Sequence, residues 1–485
     1  MKGTRSLLGV LVFLGLIVLT ACGGGGASST LPPPQASTAP VSFTIRDAPP
    51  ANVTVLSFEV TVVSASLQSN TGKPDFPLVT TPIKIEIKQL EVESAFLSTA
   101  NVPADTYKSV TVQLQNPELT IKNDTGNSIP GCNADPITHV CEIKLTMSTN
   151  VVFSGAPFPL TVVANSPTGL LVDVNLANAV TSALGVDFSA AGAVTITQLT
   201  AQQGTGQLEE MEDVHGTVAN KDAANNQFIL QSPHGNLTIK VDTNTVFEDF
   251  DKLSTPCTAN PQNFTCVQNG QMVEVDIRLI AGGAMLAKKV EAQDDAQNAE
   301  DLEGIITGNI TATGFDLVLI EKISNITSVE IGNAVHINLV PGFTFRVDKE
   351  KLNVSPGLRF SEAFGTADLM VGQRVEVKRV SSSAGPPPTI NAIRVTLKKT
   401  AFRAKVKSKL NSTDFLVDNL PPLFVNATPA ILQIEVRTTI GETGFDGNVA
   451  NLAALNVGDT VSVRGLLFKQ AVGDPVLVAK KVRKR

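Results

Sequence analysis

The stretch Val371-Gly-Gln-Arg-Val-Glu-Val-Lys378 decides how this chain folds, because two related stretches follow the same pattern. They are Asn269-Gly-Gln-Met-Val-Glu-Val-Asp276 and Val457-Gly-Asp-Thr-Val-Ser-Val-Arg464. Each has a Gly-Gln or Gly-Asp turn and then a run of alternating apolar and polar residues, which is typical of a half-buried β-strand. Internal similarity of this length indicates repeated modules.

Similar neighbouring segments extend each repeat into a module of five or six short strands. A polar hairpin and a final apolar strand follow each stretch, and the first strands of the module precede it. So few strands do not suffice for a two-layer sandwich, and they predict a small closed barrel. The three barrel modules predicted in this way span residues 212–293, 302–397 and 400–484.

The turn-and-strand signature of these modules resembles the bacterial domain of unknown function 5666. The resemblance covers most of residues 212–484 and implies tandem modules with an OB-like fold. It is weaker in the second module, where residues 324–356 carry an insertion. A shared fold does not transfer a ligand from one protein to another.

Residues 41–200 contain a different set of short strands. Runs such as Ile83-Lys-Ile-Glu-Ile87 alternate with a period of two, and turn-forming residues separate them. Many short strands at this spacing predict a β-sandwich, so we expect the whole chain to be all-β. Three motifs here resemble the bacterial domain of unknown function 4382, a family of envelope lipoproteins without an established activity. They are Asp47-Ala-Pro49, Pro103-Ala-Asp-Thr-Tyr107 and Leu171-Val-Asp-Val-Asn175, and structural roles are expected for Asp47 and Asp173.

The N-terminus has the three parts of a secretory signal. Basic residues precede an uncharged apolar run from Leu7 to Leu19, which is short for a bilayer span, and small residues follow it. Leu19-Thr-Ala-Cys22 matches the bacterial lipobox. The match implies a lipoprotein signal peptide at residues 1–21, a thioether-linked diacylglycerol on Cys22 and, in Gram-negative bacteria, a further acyl group such as palmitate on its new amine. The alternative is an ordinary secretory signal with a chance cysteine.

Residues 22–40 are rich in Gly, Ser and Pro and cannot pack a core, so they predict a tether between lipid and folded body. We therefore expect the chain in the cell envelope, with a membrane as its partner through the N-terminal lipid. Gly23 is not the Asp that favours inner-membrane retention in well-studied Gram-negative bacteria. The outer membrane is thus the expected location if the organism is Gram-negative.

Four further cysteines form two pairs with the same spacing, Cys132 with Cys141 and Cys257 with Cys266. In an exported chain this arrangement favours two local disulfides, each of which clamps one loop. Metal binding is the alternative, but the spacing is not C-x-x-C and His139 is a lone additional ligand. We predict disulfides, and neither a metal nor a cofactor.

Composition argues against nucleic acid as a partner. The formal net charge is −7, Trp is absent and Tyr107 is the only tyrosine, whereas nucleic-acid sites need positive charge and stacking faces. The basic segment Lys480–Arg485 is a local exception. It is interpreted as a solvated strand end, and contact with anionic lipid or polysaccharide is the alternative.

Two acidic segments fall between the predicted domains. Glu209-Glu-Met-Glu-Asp213 and Asp294-Asp-Ala-Gln-Asn-Ala-Glu-Asp301 are both interpreted as solvated linkers. The second could be a calcium loop, but it lacks the glycine and the terminal Glu at EF-hand spacing.

No catalytic motif stands out in the sequence. The four histidines His139, His215, His234 and His336 are scattered, and no nucleophile elbow or phosphate-binding glycine loop is present. We therefore predict a non-enzymatic binding or structural role, with an envelope polysaccharide or protein as the possible ligand. The alternative is an envelope hydrolase that acts on glycan or peptide, with its site on the N-terminal domain, because paired carboxylates are defined by spatial and not sequential separation.

Overall fold

The computed structural model describes residues 53–485 except 92–94, 96, 99, 101, 125–127, 164–167, 200–206, 233–234, 281–283, 294–299, 324–328, 349–357, 359–363 and 448. The predicted signal peptide, Cys22, the tether and Asp47 lie outside the described residues. Among the described helices, none combines the length and the apolar character that crossing a bilayer requires.

Two long antiparallel strands organise the N-terminal domain, β1 (Val53–Ser69) and β4 (Asp105–Asn123). Shorter strands extend the sheet on both sides because they pair with successive parts of these two. β2 (Phe76–Val79) and β3 (Ile83–Glu86) pair with β1, and β5 (Val140–Lys144), β6 (Ser148–Phe153) and β7 (Leu160–Val162) pair with β4.

A smaller layer packs against this sheet. It consists of the hairpin β8 (Gly169–Val174) and β9 (Val194–Leu199), the short helix α1 (Leu176–Ala179) and the loop around Phe188. The rings of Phe58 and Phe188 lie 6.2 Å apart between the two layers. A 3₁₀ helix, Lys88–Glu91, connects β3 to the segment before β4. The expected all-β fold is confirmed, with one large and one small sheet in this domain.

Three modules of five or six strands each follow along the chain. Module 1 has β10 (Gln207–Asp222), β11 (Gln227–Ser232), β12 (Gly235–Lys240), β13 (Val246–Glu248), β14 (Met272–Ile280) and β15 (Ala284–Ala292). Module 2 has β16 (Glu300–Gly308), β17 (Gly314–Lys322), β18 (Ala334–Val347), β19 (Arg374–Ser383) and β20 (Thr389–Lys398). Module 3 has β21 (Thr400–Lys409), β22 (Asp414–Asp418), β23 (Ile434–Arg437), β24 (Gly444–Asp446), β25 (Thr460–Phe468) and β26 (Val476–Lys484). Short helices lie between strands, as 3₁₀ turns at Phe264–Cys266, Thr366–Asp368 and Leu452–Ala454 and as α2 at Pro422–Val425.

The same five-strand circuit closes in each module. In module 2 the order is β16-β17-β18-β20-β19 and back to β16, and β18 runs parallel to β20. Modules 1 and 3 repeat this order and close through the parallel pairs β12–β15 and β23–β26. This is the five-stranded Greek-key barrel of OB-type folds. The predicted OB-like barrels are therefore confirmed.

The turn before the repeated strand has the same backbone in all three modules. Gly270, Gly372 and Gly458 have φ angles of +87°, +88° and +89°. Only glycine adopts such angles readily, which explains the glycine in each repeat. The strand after the turn then places its valines inside the barrel, and Val273, Val375 and Val461 are fully buried.

The segment that leads into module 1 differs from the sequence prediction. Glu209–Asp213 belongs to strand β10 and is not a solvated linker, since the side chains of Glu212 and Asp213 are 8% and 3% exposed. Asp301, at the end of the second acidic segment, is also buried within β16. The barrels pack directly on one another, and this packing removes these carboxyl groups from solvent.

Candidate functional site

A large, mostly apolar cavity lies over one face of the N-terminal sheet. Its volume is about 1240 Å³. Small-molecule sites are usually about 300–1,000 Å³ and mostly apolar, so this cavity is larger than a typical ligand site. Protein interiors are otherwise close-packed, with few voids larger than a water molecule.

The floor of the cavity is built from cross-strand pairs of β1 and β4. Opposite residues pair in register and direct aliphatic side chains to the same face, because side chains alternate along a strand. The pairs are Val62 with Leu114, Ala65 with Val112, and Leu67 with Val110. Ala65 is the smallest of these residues, so it leaves the most space at the centre of the floor.

The walls and the roof are also aliphatic. Val79, Ile85 and Leu160 from the short strands form walls, and Leu170, Val172 and Ile196 from the β8–β9 hairpin form part of the roof. The barrel modules add Met211, Leu279, Ile305, Phe402 and Phe424 to the lining. The lining therefore comes from two kinds of domain, which explains why neither domain's sequence pattern reveals it.

The described residues that line the cavity include six charged side chains, and four of them are cationic. The cations are Lys88, Arg403, Arg483 and Arg485, and the acids are Asp173 and Glu209. We call the four cations the basic rim. The helix that carries Lys88 packs against β21, the strand that carries Arg403. Arg403 is exposed, and Arg485 Nη1 lies 3.9 Å from Asp173 Oδ2.

Strand register explains how the arginines come together. Arg403 on β21 pairs with Ser462 on β25, and Ser462 pairs with Arg483 on β26, so the three residues form one row across the barrel surface. Arg485 Nε donates a hydrogen bond to Ser462 Oγ at 3.1 Å. Neighbouring strands are about 4.8 Å apart, so the backbones of Arg403 and Arg483 are about 9.6 Å apart, and both residues line the cavity.

The same row exists in the other two modules with different chemistry. It is His215, Glu274 and Glu291 in module 1, and Glu303, Glu376 and Thr396 in module 2. These two rows face one another, and His215 Nε2 lies 3.4 Å from Glu303 Oε1. Module 3 instead directs its row to the cavity. The same barrel face thus forms the contact between modules 1 and 2, and in module 3 it lines the cavity.

Buried ion pairs connect the modules, and we call them the charge layer. Lys398 Nζ of module 2 lies 2.7 Å from Glu274 Oε2 of module 1. Arg464 of module 3 pairs with Glu212 and Asp213 of module 1, and Lys399 Nζ donates to Asp213 Oδ1 at 3.1 Å. Burial alone would raise the pKa of Asp213, but Lys399 and Arg464 outweigh it and hold that pKa well below its usual range.

Among the described histidines, His215 is the one within the charge layer, and it is 2% exposed. Burial disfavours its charged form, but Glu321, Glu303 and Glu274 favour it and raise the pKa of His215 to about 10. The imidazolium is therefore the stable form at neutral pH. The carboxyl groups of the layer do not all shift in the same direction. The pKa of Asp213 is lowered, whereas burial and Glu274 raise the pKa of Glu291 to about 8.

Two groups in this layer bring potential metal ligands close together, and both are already occupied by cationic side chains. The ligand atoms of His215, Glu303 and Glu321 lie within 4.8 Å of one another. Arg374 Nη2 lies 2.5 Å from Glu303 Oε2 and 3.4 Å from Glu321 Oε2. A metal ion here would have to displace the guanidinium. The second group, Asp213, Glu274 and Asp276, neighbours Arg464 and Lys398 in the same way.

The remaining predicted site residues have separate places. Cys132–Cys141 and Cys257–Cys266 form the two predicted disulfides, with Cα atoms 5.4 Å apart in each. His139 is exposed beside Asp124, and His336 Nδ1 contacts Asp316 Oδ1 at 2.8 Å. His234 lies outside the described residues. The structure thus does not bring the described histidines His139, His215 and His336 together.

Comparison with known families agrees with the domain structure. Residues 38–204 match the family model described as Domain of unknown function (DUF4382). Residues 215–291, which cover most of module 1, match the one described as Domain of unknown function (DUF5666). A comparison with curated proteins finds no match. Both resemblances identified from the sequence are confirmed.

Proposed function

We propose that this chain is a lipid-anchored protein of the cell envelope that binds an apolar ligand in its N-terminal cavity and does not transform it chemically. The observation that carries the proposal is the 1240 Å³ cavity with aliphatic floor, walls and roof. Such walls offer water few hydrogen bonds, so an apolar occupant is favoured over solvent. Each methylene group that enters contributes about 0.8 kcal/mol.

The lining also selects among the ligands that the sequence left open. A polysaccharide would lose hydrogen bonds from its hydroxyl groups to water, and the aliphatic surface would not replace them. Lipid-like molecules bring no such cost. The proposed anchor at Cys22 supports this choice, because it would hold the cavity beside a membrane that is rich in such molecules.

A fluorescence experiment tests the cavity. Residues 23–485 lack the lipidated cysteine but keep every described residue, all of which lie in one unit of the chain, Arg46–Arg485. This chain would be titrated with the neutral probe N-phenyl-1-naphthylamine. Ala65→Phe fills the centre of the floor, and we expect it to weaken probe binding about tenfold or more, because the new ring occupies space that the probe needs; tenfold in affinity is about 1.4 kcal/mol.

The matched control is Ser66→Phe. Ser66 neighbours Ala65 on β1 but is outside the cavity lining, so the same side chain is added on the opposite face of the strand. We expect near-normal probe binding by this variant. If the wild type and both variants bind the probe with equal affinity, the proposal of binding in the cavity is wrong. Turnover of a supplied lipid ester would contradict the proposed absence of catalysis.

A second experiment tests the anchor separately. Cells that express the full chain would be labelled with an alkyne analogue of palmitate and then fractionated. We expect Cys22→Ser to abolish labelling and release the chain from the membrane fraction. A Cys22→Ser chain that keeps its label would show that the lipid is attached elsewhere, and the anchor proposal would then be wrong.

A further inference from the structure

The basic rim is unusual for this chain, whose formal net charge is −7. Four of the six charged side chains that line the cavity are cations, and three of those are arginines of module 3. The row Arg403–Ser462–Arg483 occupies the barrel face that holds mainly carboxylates in the other two modules. The row in module 3 is therefore positively charged, whereas the corresponding rows of modules 1 and 2 contain mainly carboxylates.

The arginines can offer donors to a ligand. Arg483 Nε donates to Asp446 Oδ2 at 2.8 Å, so its guanidinium is oriented through one edge. Arg485 is already engaged, because its Nε donates to Ser462 Oγ at 3.1 Å and its Nη1 lies 3.9 Å from Asp173 Oδ2. A guanidinium has five N–H donors in a fixed fork, and its terminal nitrogens suit an oxyanion. Arg403 is exposed beside them, and among the described residues no ion pair of its side chain is seen.

The aliphatic cavity and the basic rim are continuous, because both belong to one lined space. A ligand that satisfies both has an alkyl chain and an anionic head. We propose that the natural ligand is a free anionic amphiphile, a fatty acid or a lysophospholipid, whose chain occupies the N-terminal cavity and whose carboxylate or phosphate is bound by Arg403 and Arg483. This inference rests on the proposed function and adds the head-group chemistry.

Charge distinguishes this ligand from the protein's own lipid. The diacylglycerol expected on Cys22 is joined through a thioether and carries no anionic group, so it would not use the arginines. A free fatty acid or lysophospholipid would. The segment Lys480–Arg485, for which contact with anionic lipid was the alternative interpretation, contributes Arg483.

The test compares oleate with oleyl alcohol, which has the same chain without the carboxylate. Each would displace N-phenyl-1-naphthylamine from residues 23–485 at low ionic strength. We expect oleate to displace the probe at about tenfold lower concentration, since hydrogen bonds to a charged group contribute about 1.5 kcal/mol or more. In the double variant Arg403→Gln/Arg483→Gln, we expect oleate and oleyl alcohol to displace the probe at the same concentration, and the alcohol to compete as it does with the wild type.

The matched control is Lys405→Gln/Lys407→Gln. It removes the same charge from exposed positions further along β21 that do not line the cavity. We expect it to keep the preference for oleate. Arg483 also pairs with Asp446, so the single variant Arg403→Gln is a second test that leaves this contact intact. We expect it to reduce the preference for oleate over oleyl alcohol about threefold.

The outcomes separate the two proposals. If both ligands displace the probe equally from the wild type, the head-group site is wrong and the apolar cavity stands. If neither displaces it, the proposed function itself fails. Cross-linking with a diazirine fatty acid in cells tests the source of the lipid. A cross-linked peptide whose mass includes the Cys22 peptide would identify the protein's own acyl chain as the occupant and overturn the free amphiphile.

Discussion

Lys398 Nζ lies 2.7 Å from Glu274 Oε2, and this ion pair joins two barrels through side chains that are 3% and 0% exposed. Glu274 also accepts from Lys289, whose Nζ lies 3.3 Å from Oε1. Lys398 in turn has a second partner, Asp348 Oδ2, at 2.7 Å. The barrels therefore associate through a connected set of buried charges. Removal of one member leaves the others without full compensation.

Glu274→Gln tests how strongly this set stabilises the chain. The substitution keeps the shape of the side chain but leaves the charges of Lys289 and Lys398 less compensated. Breaking a buried ion pair costs about 3–5 kcal/mol, so we expect the urea midpoint to fall clearly. The control is Glu330→Gln, because Glu330 pairs with Lys322 at 2.9 Å but is 63% exposed. That change costs at most about 1 kcal/mol. Equal midpoints for the two variants would show that burial is irrelevant here.

His215 predicts how stability depends on pH. Its folded pKa of about 10 is above the unfolded value of 6.5, because Glu321, Glu303 and Glu274 outweigh the effect of burial. A raised pKa contributes stability that is fully present below pH 6.5 and is lost as pH rises towards 10. Burial raises the pKa of Glu376 to about 7, so its contribution is lost earlier, between about 4.5 and 7.

The measurement is thermal unfolding between pH 6.5 and 10 for the wild type and His215→Gln. We expect the melting temperature of the wild type to fall over this range and that of the variant to fall less, since glutamine does not titrate. Unperturbed lysine side chains lose their charge only at the upper end of this range, so the comparison is most informative below pH 9. Parallel curves for both proteins would contradict a charged His215 in the folded state.

The barrels and the disulfides could be predicted from the sequence because their signals are local. The glycine turn and the alternating valines of Val371–Lys378 appear in three copies, and the cysteine pairs repeat one spacing. Both depend on residues that are near one another along the chain. Neither depends on how the barrels pack together.

The charge layer could not be predicted from the same pattern. Glu274 and Asp276 alternate with barrel valines and therefore have the sequence signature of solvated strand residues, but neighbouring modules cover them. One signal was present in the sequence. Asp276, Lys378 and Arg464 occupy the same position in the three repeats, and the first is acidic whereas the other two are basic. The cavity escaped prediction for a different reason, because residues such as Ala65 and Val112 follow the alternation of a packed core.

The three turn glycines give a prediction with a built-in control. In Gly372→Ala the new Cβ would clash with Phe424 Cε1, whereas nothing lies within 4 Å of the corresponding atom at Gly458. Both residues have φ near +88°, so both substitutions bear the same backbone cost of about 1–2 kcal/mol. Gly372→Ala must also move the Phe424 ring, which packs on Phe402.

We therefore expect Gly458→Ala to lower the unfolding free energy by about 1–2 kcal/mol and Gly372→Ala by about 2–4 kcal/mol. Chemical denaturation of residues 23–485 would measure both. Equal losses would mean that the ring of Phe424 moves freely, and the contact between modules 2 and 3 at Gly372 would then not be rigid.

The two disulfides stabilise different domains and should act independently. Each closes a loop with a sequence separation of 9 residues, for which restriction of the unfolded chain predicts about 2–3 kcal/mol. Cys132→Ala/Cys141→Ala is expected to destabilise the N-terminal domain, and Cys257→Ala/Cys266→Ala to destabilise module 1. The losses of unfolding free energy from the two double variants should add within about 0.5 kcal/mol, because the two disulfides lie in different domains.

A reductant provides the control. Residues 23–485 contain only these four cysteines, so the quadruple variant should melt at the same temperature with and without reductant, while the wild type loses stability when reduced. A wild-type melting temperature that reductant leaves unchanged would show that the disulfides contribute no stability.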